Sequence, residues 1–245
     1  MSVFRGYDFL SSNGVLAYSQ TMKTKIQKFI AQGMTINLHD ELLLIRKKSI
    51  CQSKNLDLLW RSLCSVTATS GSSLNAESFM SRYDKALRFD LLPKTRKARE
   101  KAILKELYEA GVPRMRAQKA HYLSENYVKV KSLGGPKKAT KIMLSLKGKS
   151  EKQLWIRQFN GVGEKYSNDI WMNICDPDFV NAIALDSRVK NFAKKLGFDI
   201  KSRALEENLI RFAKECGLTG WELDRLIYNF GGLILSLAKF RNSQP

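Results

Sequence analysis

Hydrophobic positions along most of the chain follow the spacing of an α-helix. Apolar residues recur every three or four positions, which places them on one helix face. The clearest examples are residues 26–30, 42–45, 56–63, 103–108, 189–196 and 205–212. Glycine or proline separates these segments, and no pair of alternating apolar–polar strands joined by a tight turn is evident. The pattern predicts a mainly α protein of about ten helices with short connections.

The length of 245 residues and a hydrophobic content of 44% allow a substantial core in one or two domains. The longest uncharged stretch near the C-terminus, residues 229–238, is about half as long as a bilayer span requires. Arg5 and Asp8 interrupt any apolar run near the N-terminus, so no signal peptide is expected. We therefore expect a cytoplasmic, nucleoid-associated protein, or a nuclear one if the source is a eukaryote, with no membrane partner.

Positive charge is concentrated in one part of the chain. The formal net charge is +19, and residues 94–152, here named the basic segment, hold 17 Lys/Arg but only 5 Asp/Glu. Such a field repels itself unless a polyanion relieves it. Nucleic acid fits this role because each neutralised phosphate releases counterions. An anionic membrane surface fits less well, because the sequence has no basic amphipathic helix with a bulky aromatic face.

The cysteines and histidines do not form a recognisable metal motif. Four cysteines are widely scattered: Cys51, Cys64, Cys175 and Cys216. Their spacing excludes a zinc finger and argues against a four-cysteine iron–sulfur cluster. We expect free thiols in a reducing compartment, no metal and no other cofactor. His39 and His121 have no hydrolase-like or metal-binding neighbours in sequence, and we interpret them as ordinary surface or hydrogen-bonded residues.

Residues 150–174 predict a helical hairpin. Ser150 and Gln153 have the spacing of a capping box that would start the first helix. The sequence Asn-Gly-Val-Gly at 160–163 must then turn sharply before a second helix that begins at Glu164 and ends near Ile174. The glycines leave the turn amides unobstructed beside the positive end of a helix dipole, so the turn is a candidate phosphate site. A plain tight turn explains the same residues.

The residues after the hairpin extend the motif. An apolar segment leads to Leu-Asp-Ser-Arg-Val at 185–189 and then to an amphipathic helix. This order of helix, Gly-Val-Gly-x-Lys turn, helix, Asp-containing loop and helix resembles the helix-hairpin-helix DNA glycosylase superfamily of base excision repair. Endonuclease III and the 8-oxoguanine DNA glycosylases are members. The match spans about residues 150–196. Asn160 replaces the family's proline and Arg188 its histidine, and the arginine is more similar to the archaeal 8-oxoguanine enzymes.

The resemblance implies two catalytic residues. Lys165 would attack the sugar C1′ as a neutral amine and form a Schiff base, and β-elimination would then cut the strand. Burial or a basic neighbourhood is expected to favour the neutral amine. Asp186 would stabilise the positive charge that develops on the sugar and assist deprotonation of Lys165. Each also has a structural alternative, Lys165 as a solvated lysine and Asp186 as the N-cap of the next helix.

The resemblance also implies contacts with the DNA backbone. The residues concerned are Gly161, Val162, Gly163 and Arg188. A structural K⁺ or Na⁺ held by the carbonyls of Phe159 and Val162 is a further implication, although no other cofactor is expected. Residues 66–70 are a weaker candidate for a segment that faces DNA.

A loop between two earlier helices is the best candidate for the segment that fills the gap left by a displaced base. In the loop 111–115, Val112 or Met115 would be the wedge, while Arg114 and Arg116 would hold phosphates. An exposed connection between two helices explains the same residues without any function.

The chain departs from endonuclease III in having no cysteine cluster after its final helix, and from the eukaryotic-type 8-oxoguanine enzymes in having no evident N-terminal β domain. The resemblance therefore implies a two-lobed, all-helical fold of the cluster-free type. One lobe is a helical barrel at 56–186 that carries the hairpin, and the other combines 1–55 with 187–245. Lys165 and Asp186 would face each other across the cleft between the lobes.

The implied activity is removal of an oxidised base, with 8-oxoguanine ahead of oxidised pyrimidines, followed by cleavage of the abasic strand. The implied partner is double-stranded DNA that contains a damaged base, bound by a monomer. Two alternatives stay open. One is a monofunctional glycosylase for alkylated or mismatched bases, and the other is a non-catalytic DNA-binding hairpin of the kind found in ligases and polymerases.

Overall fold

The computed structural model describes residues 24, 26–28, 30, 38–69 and 73–240, and most of these residues are helical. These residues form eleven α-helices, one π-helical turn and one 3-10 turn, and none of them lies in a β-strand. The prediction of an all-helical protein is confirmed. No described helix is both long enough and apolar enough to cross a lipid bilayer.

The helices are numbered here in chain order. The first six are α1 (Leu38–Ser53), α2 (Leu58–Ala68), α3 (Ser73–Ser81), α4 (Arg96–Glu109), α5 (Arg116–Ser132) and α6 (Pro136–Ser145). The other five are α7 (Lys149–Arg157), α8 (Glu164–Met172), α9 (Ser187–Lys195), α10 (Leu205–Glu215) and α11 (Gly220–Phe240). The π-helical turn is Tyr83–Leu87 and the 3-10 turn is Pro177–Phe179.

The chain divides into two compact units. Residues 49–174 form the first, here named the hairpin unit. Residues up to 48 and residues from 175 onward form the second, the terminal unit. Asp186, which the sequence analysis puts at the end of the barrel lobe, therefore lies in the terminal unit, whereas Lys165 lies in the hairpin unit.

The core of the hairpin unit includes the packing of α2 against α5 and α6. Each of these helices presents apolar residues to the others, and Trp60, Leu63 and Leu123 are at most 1% exposed. The indole N–H of Trp60 donates to the carbonyl of Leu87 at 2.8 Å. The polar atom of this buried ring is therefore satisfied, as burial of a tryptophan requires.

A buried cation joins α4 to α5. The guanidinium of Arg99, a residue only 2% exposed, donates to Ser124 Oγ at 3.0 Å and to the carbonyls of Pro93 and Lys94 at 3.1 and 3.0 Å. It also lies 4.2 Å from the ring centroid of Tyr127. Burial lowers the pKa of Arg99. These contacts hold α5 in place, and α5 in turn supports the hairpin turn.

The terminal unit is built around α11, which packs against α9 and α10. A Cβ on Gly220, the first residue of α11, would lie 2.8 Å from the carbonyl group of Asn181, so only glycine allows this close approach. The amide of Trp221 donates to the carbonyl of Val180 at 3.0 Å. The start of α11 is therefore packed directly against the segment that leads to Asp186.

All four cysteines are free thiols. Cys64 and Cys216 are buried, Cys175 is half-buried and Cys51 is exposed. Burial raises the pKa of the Cys64 thiol well above its ordinary value, because desolvation disfavours the thiolate. This thiol is correspondingly unreactive.

Candidate functional site

The predicted hairpin is formed by α7, a turn and α8. Gly161 has φ of +84°, a left-handed conformation that favours glycine. Val162 is 6% exposed and Phe159 is 2% exposed, so both side chains fix the turn to the core of the hairpin unit. Gly163 is the N-cap of α8 with φ of −85°. The turn therefore leaves the amides at the N-terminus of α8 facing away from the core, where an anion can reach them.

The predicted capping box at Ser150 and Gln153 is wrong. Helix α7 begins at Lys149, two residues before the start that a Ser150 cap would give, and its N-cap Gly148 has no side chain to cap it. Gln153 instead donates from Nε2 to Oδ1 of Asn168 at 2.6 Å. The Gln153 side chain thus forms a contact between the two helices of the hairpin and does not form the hydrogen bond of a capping box.

The hairpin turn is clamped from α5 by Asn126, a residue only 1% exposed. Its Nδ2 donates to the carbonyl of Asn160 at 2.9 Å, and its Oδ1 accepts from the amide of Asn160 at 2.8 Å. Lys129 Nζ also donates to the carbonyl of Gln158. A proline at position 160, usual in the resembling family, has no N–H to give. Asn160 therefore supplies an N–H for Asn126 that a proline at this position could not supply.

Lys165 lies in the first turn of α8, as predicted. Its Nζ is 3.1 Å from Oδ2 of Asp169 and its side chain is 35% exposed. The Nζ also lies 4.7 Å from the ring centroid of Tyr166. The expected burial is thus only partial, and the Asp169 carboxylate favours the ammonium over the neutral amine. Sequence analysis missed Asp169, although a Lys and an Asp four residues apart on a helix are a visible signal.

The neighbouring Tyr166 ties α8 to the end of α2. Its hydroxyl donates to the carbonyl of Thr69. The weak candidate segment 66–70 is therefore helical up to Ala68 and touches the hairpin at Thr69, while Ser70 lies outside the described residues.

The two proposed wedge residues of the loop 111–115 differ in exposure. Val112 is fully buried and its side chain belongs to the core of the hairpin unit, so it is the less suited of the two candidates to enter the DNA stack. Met115 is 63% exposed and has φ of +55°, an uncommon conformation for a residue other than glycine. Met115 is thus the one of the two predicted wedge residues that is accessible.

Arg114 in this loop and Arg116 at the start of α5 also differ in exposure and contacts. Arg114 is exposed. Arg116 is half-buried, donates from Nε to the carbonyl of Val112 and lies 4.3 Å from the ring centroid of Tyr108. Arg116 therefore stabilises the conformation of the loop. This structural role is additional to the phosphate contact that the sequence analysis predicts for it.

Asp186 is the N-cap of α9. Its Oδ1 accepts from the amides of Arg188 and Val189 at 2.8 and 2.9 Å. Both bonds end on the same carboxylate oxygen. The structural alternative for Asp186 is thus observed, and it is compatible with a role that needs a negative charge. Arg188 is exposed and its guanidinium lies 4.3 Å from the ring centroid of Tyr228.

The segment before Asp186 is held by a buried acid that the sequence analysis did not single out. Asp224 of α11 is 4% exposed. Its Oδ1 accepts from the amide of Ala184 at 2.9 Å, and its Oδ2 is 3.0 Å from Arg225. Asp224 thereby fixes the backbone two residues before Asp186.

One group in the hairpin unit has the composition of a metal site, namely Glu100, His121 and Glu125. The guanidinium of Arg96 lies among these side chains, with its Nε 3.0 Å from Glu100 and 3.2 Å from Glu125. His121 Nδ1 is 3.1 Å from Glu100. A cation is therefore already supplied by the protein, and the group is an ion-pair cluster.

Sequence comparison finds no match, whereas structural comparison finds proteins of similar fold. No family model matches the chain, and no curated protein matches it in sequence. An 8-oxoguanine DNA glycosylase of Thermotoga maritima is similar in structure with a TM-score of 0.66 and 16% identity, over 84% of this chain and 95% of that one. The 8-oxoguanine DNA glycosylase of Methanocaldococcus jannaschii gives a TM-score of 0.63 and 18% identity, over 82% and 91%.

The Methanocaldococcus jannaschii 8-oxoguanine glycosylase/lyase in complex with a 15mer DNA containing 8-oxoguanine gives a TM-score of 0.65 and 18% identity, over 84% of this chain and 97% of that one. The protein therefore has the all-helical helix-hairpin-helix fold of these DNA glycosylases. The resemblance that the sequence at 150–196 suggests is confirmed at the level of the fold.

Proposed function

We propose that the protein is a DNA glycosylase with abasic-site lyase activity that removes an oxidised base, with 8-oxoguanine as the favoured substrate. The observation that carries the proposal is the position of Lys165, which lies at the start of the second hairpin helix in a fold shared with 8-oxoguanine glycosylases. The net charge of +19 supports nucleic acid as the partner, and double-stranded DNA bound by a monomer is part of the proposal.

The proposed chemistry uses side chains of this protein together with water. The neutral amine of Lys165 attacks C1′ of the sugar as the glycosidic bond breaks, and the base leaves with the bonding electrons and takes up a proton. The sugar opens to an imine on Nζ. Loss of a proton from C2′ then expels the 3′ phosphate, and water hydrolyses the imine to release the enzyme. Asp186 stabilises the positive charge on the sugar during base release.

A monovalent cation at the hairpin is a separate part of the proposal. The Phe159 carbonyl accepts from the amide of Val162 at 3.2 Å, which leaves it a second lone pair for K⁺ or Na⁺. The proposed cation would stabilise the turn, and no chemical step uses it.

The function is tested on a panel of duplexes, each with one damaged, alkylated or mismatched base. We expect release of 8-oxoguanine, a strand break at the same site and a covalent complex after borohydride reduction. Base release without a strand break or a trapped complex would support the monofunctional alternative. DNA binding without release of any base on the panel would contradict the enzyme assignment and support a binding module.

The monofunctional alternative has one observation in its favour. Lys165 Nζ is paired with the Asp169 carboxylate at 3.1 Å, and a lysine held as an ammonium ion binds phosphate but cannot attack C1′. In that case water would replace the amine as nucleophile, and Lys165 would only contact the DNA backbone.

Replacement of Asp169 by Asn should make Lys165 reactive at lower pH. The amide keeps the shape of the carboxylate but removes the charge 3.1 Å from Nζ, so the neutral amine becomes easier to form. We expect trapping by cyanoborohydride at pH 6 to rise about tenfold, with no gain at high pH where the amine is already neutral. Glu164→Gln is the control, because Glu164 lies in the same helix turn and is 87% exposed. An unchanged pH profile would contradict the role given to Asp169.

Replacement of Gly163 by Ala should weaken DNA binding with only a small loss of stability. Its φ of −85° suits alanine, and no atom outside the adjacent residues lies within 4 Å of the added Cβ. The melting temperature should therefore fall only by the modest cost of alanine at a helix N-cap, at most about 1 kcal/mol. The methyl group would, however, stand in front of the amides offered to a phosphate. Loss of that charge-assisted contact should reduce affinity at least about tenfold.

The contrasting variant is Gly161→Ala. At φ of +84° alanine is strained, and unfolding should become easier by about 1 kcal/mol. Thermal melts and binding isotherms separate the two effects. If Gly163→Ala binds DNA as well as the wild type, the turn amides do not hold a phosphate.

A further inference from the structure

Helix α6 presents a face of exposed lysines. Lys137, Lys138 and Lys141, here named the lysine face, are all exposed. The opposite side of the helix is buried and held to α2, where Thr140 Oγ1 accepts from the amide of Leu59 at 3.1 Å. None of the three lysines forms an ion pair with another described residue. The face therefore carries three positive charges that no described acid neutralises.

The sequence around the lysine face contains no acid. Residues 126–150 hold seven lysines but no Asp, Glu or Arg. Lys137 and Lys138 also lie in the first turn of α6, where the helix dipole disfavours a cation. Like charges placed close together raise the free energy of the protein unless an anion binds to them. Charge complementarity therefore predicts a polyanionic partner for this face.

The lysine face lies near the hairpin turn but beyond it. Helix α5 reaches the turn through Asn126, which clamps Asn160, and then rises a further distance of about 9 Å to its end. A tight turn follows, in which the amide of Gly135 donates to the carbonyl of Val130 at 3.0 Å, and α6 begins at Pro136. Because base pairs are about 3.4 Å apart along a duplex, this spacing corresponds to about three base pairs.

The composition of the face favours the DNA backbone as the partner. Lysine is a hydrated point charge without a fixed bonding geometry, which suits phosphates, whereas base edges are read mainly by arginine, asparagine or glutamine. A protein partner would need large apolar or aromatic anchors, and the exposed side of α6 offers only Leu144, which is 42% exposed. An anionic membrane would likewise need an apolar face that inserts.

We propose that the lysine face binds phosphates of the duplex that flanks the damaged base, outside the stretch held at the hairpin turn. The inference rests on the proposed function, because DNA with a damaged base supplies this duplex. Such contacts do not depend on base sequence, and they do not reach the reacting sugar. They strengthen the binding of long duplexes and leave the rate of base release in the bound complex unchanged.

The test compares two duplexes with a central, uncleavable tetrahydrofuran abasic site, one with about five and one with about fifteen base pairs on each side. Combined replacement of Lys137, Lys138 and Lys141 by Ser should weaken binding to the long duplex about tenfold at about 0.15 M salt. The slope of log K against log[salt] should become shallower by about 2.7, because three phosphate contacts are lost. Affinity for the short duplex should stay within about twofold of the wild type, since that duplex does not extend to the lysine face.

Two further variants control for other effects of charge. Combined replacement of Lys94, Lys97 and Lys101 by Ser removes three exposed lysines at the start of α4, the end of that helix far from the loop 111–115. This variant should bind both duplexes like the wild type. Replacement of the whole lysine face by arginine keeps the charge and should preserve the affinity for the long duplex. All six lysines are exposed, so the melting temperatures should change little.

Wild-type affinity of the lysine-face serine variant for the long duplex would overturn the inference and leave the face to an acidic protein partner. An equal loss on the short duplex, or in the α4 variant, would also overturn it, because the charges would then act through the overall field of the protein. Neither result affects the proposed function, which is measured separately as release of 8-oxoguanine. Failure of the wild type to release any damaged base would overturn the proposed function, whereas length-dependent binding would still report on the lysine face.

Discussion

Replacement of Lys165 by Met is expected to abolish the covalent complex formed with abasic DNA under borohydride. Only an amine can give the imine that borohydride reduces, and methionine keeps much of the length of the side chain without that group. Strand cleavage by β-elimination should disappear together with trapping. The measurement is a denaturing gel of labelled duplex after reduction. We expect the amount of covalent complex to fall by more than about a thousandfold.

The loss should not come from unfolding. The ion pair between Lys165 and Asp169 involves a lysine that is 35% exposed, and such pairs contribute less than about 1 kcal/mol. The melting temperature of Lys165→Met should therefore stay close to that of the wild type. Lys131→Met controls for the loss of one positive charge. Trapping at the wild-type level in Lys165→Met would mean that another amine is the nucleophile.

The features that sequence predicted best are local ones. The turn at 160–163 could be predicted because its glycines allow a sharp turn and because two helices with clear apolar periodicity flank it. The positive φ of Gly161 is the corresponding structural observation. The capping role of Asp186 followed in the same way, since an Asp directly before an amphipathic helix is a common N-cap. In each case the signal and its structural consequence lie within a few residues of each other.

The features that sequence missed depend on tertiary packing. Asn126 clamps the turn from 34 residues away, and Asp224 holds Ala184 from 40 residues away. No local pattern distinguishes these polar residues from others on amphipathic helices. The burial of Val112 was not predictable for the same reason, because a loop sequence does not tell which apolar residue packs inward. The burial of Lys119 was likewise not predictable, since a lysine within a basic segment is usually solvated.

Replacement of Asp186 by Asn should separate the two roles of this residue. The amide oxygen can still accept from the amides of Arg188 and Val189, so the cap persists and the melting temperature should hardly change. The negative charge is lost, however, and with it the stabilisation of the positive sugar in the transition state. We expect base release in single-turnover assays to slow at least about a hundredfold.

Two further variants make this prediction decisive. Asp186→Ala should lose the cap as well and unfold more easily by about 1 kcal/mol. Asp176 is a matched control in the same unit, since its side chain also caps a turn by accepting from the amide of Asp178 at 3.0 Å. Asp176→Asn should release the base at the wild-type rate. Base release by Asp186→Asn at the rate of Asp176→Asn would reduce Asp186 to a helix cap, and the charge-stabilising role would then have to come from a different residue.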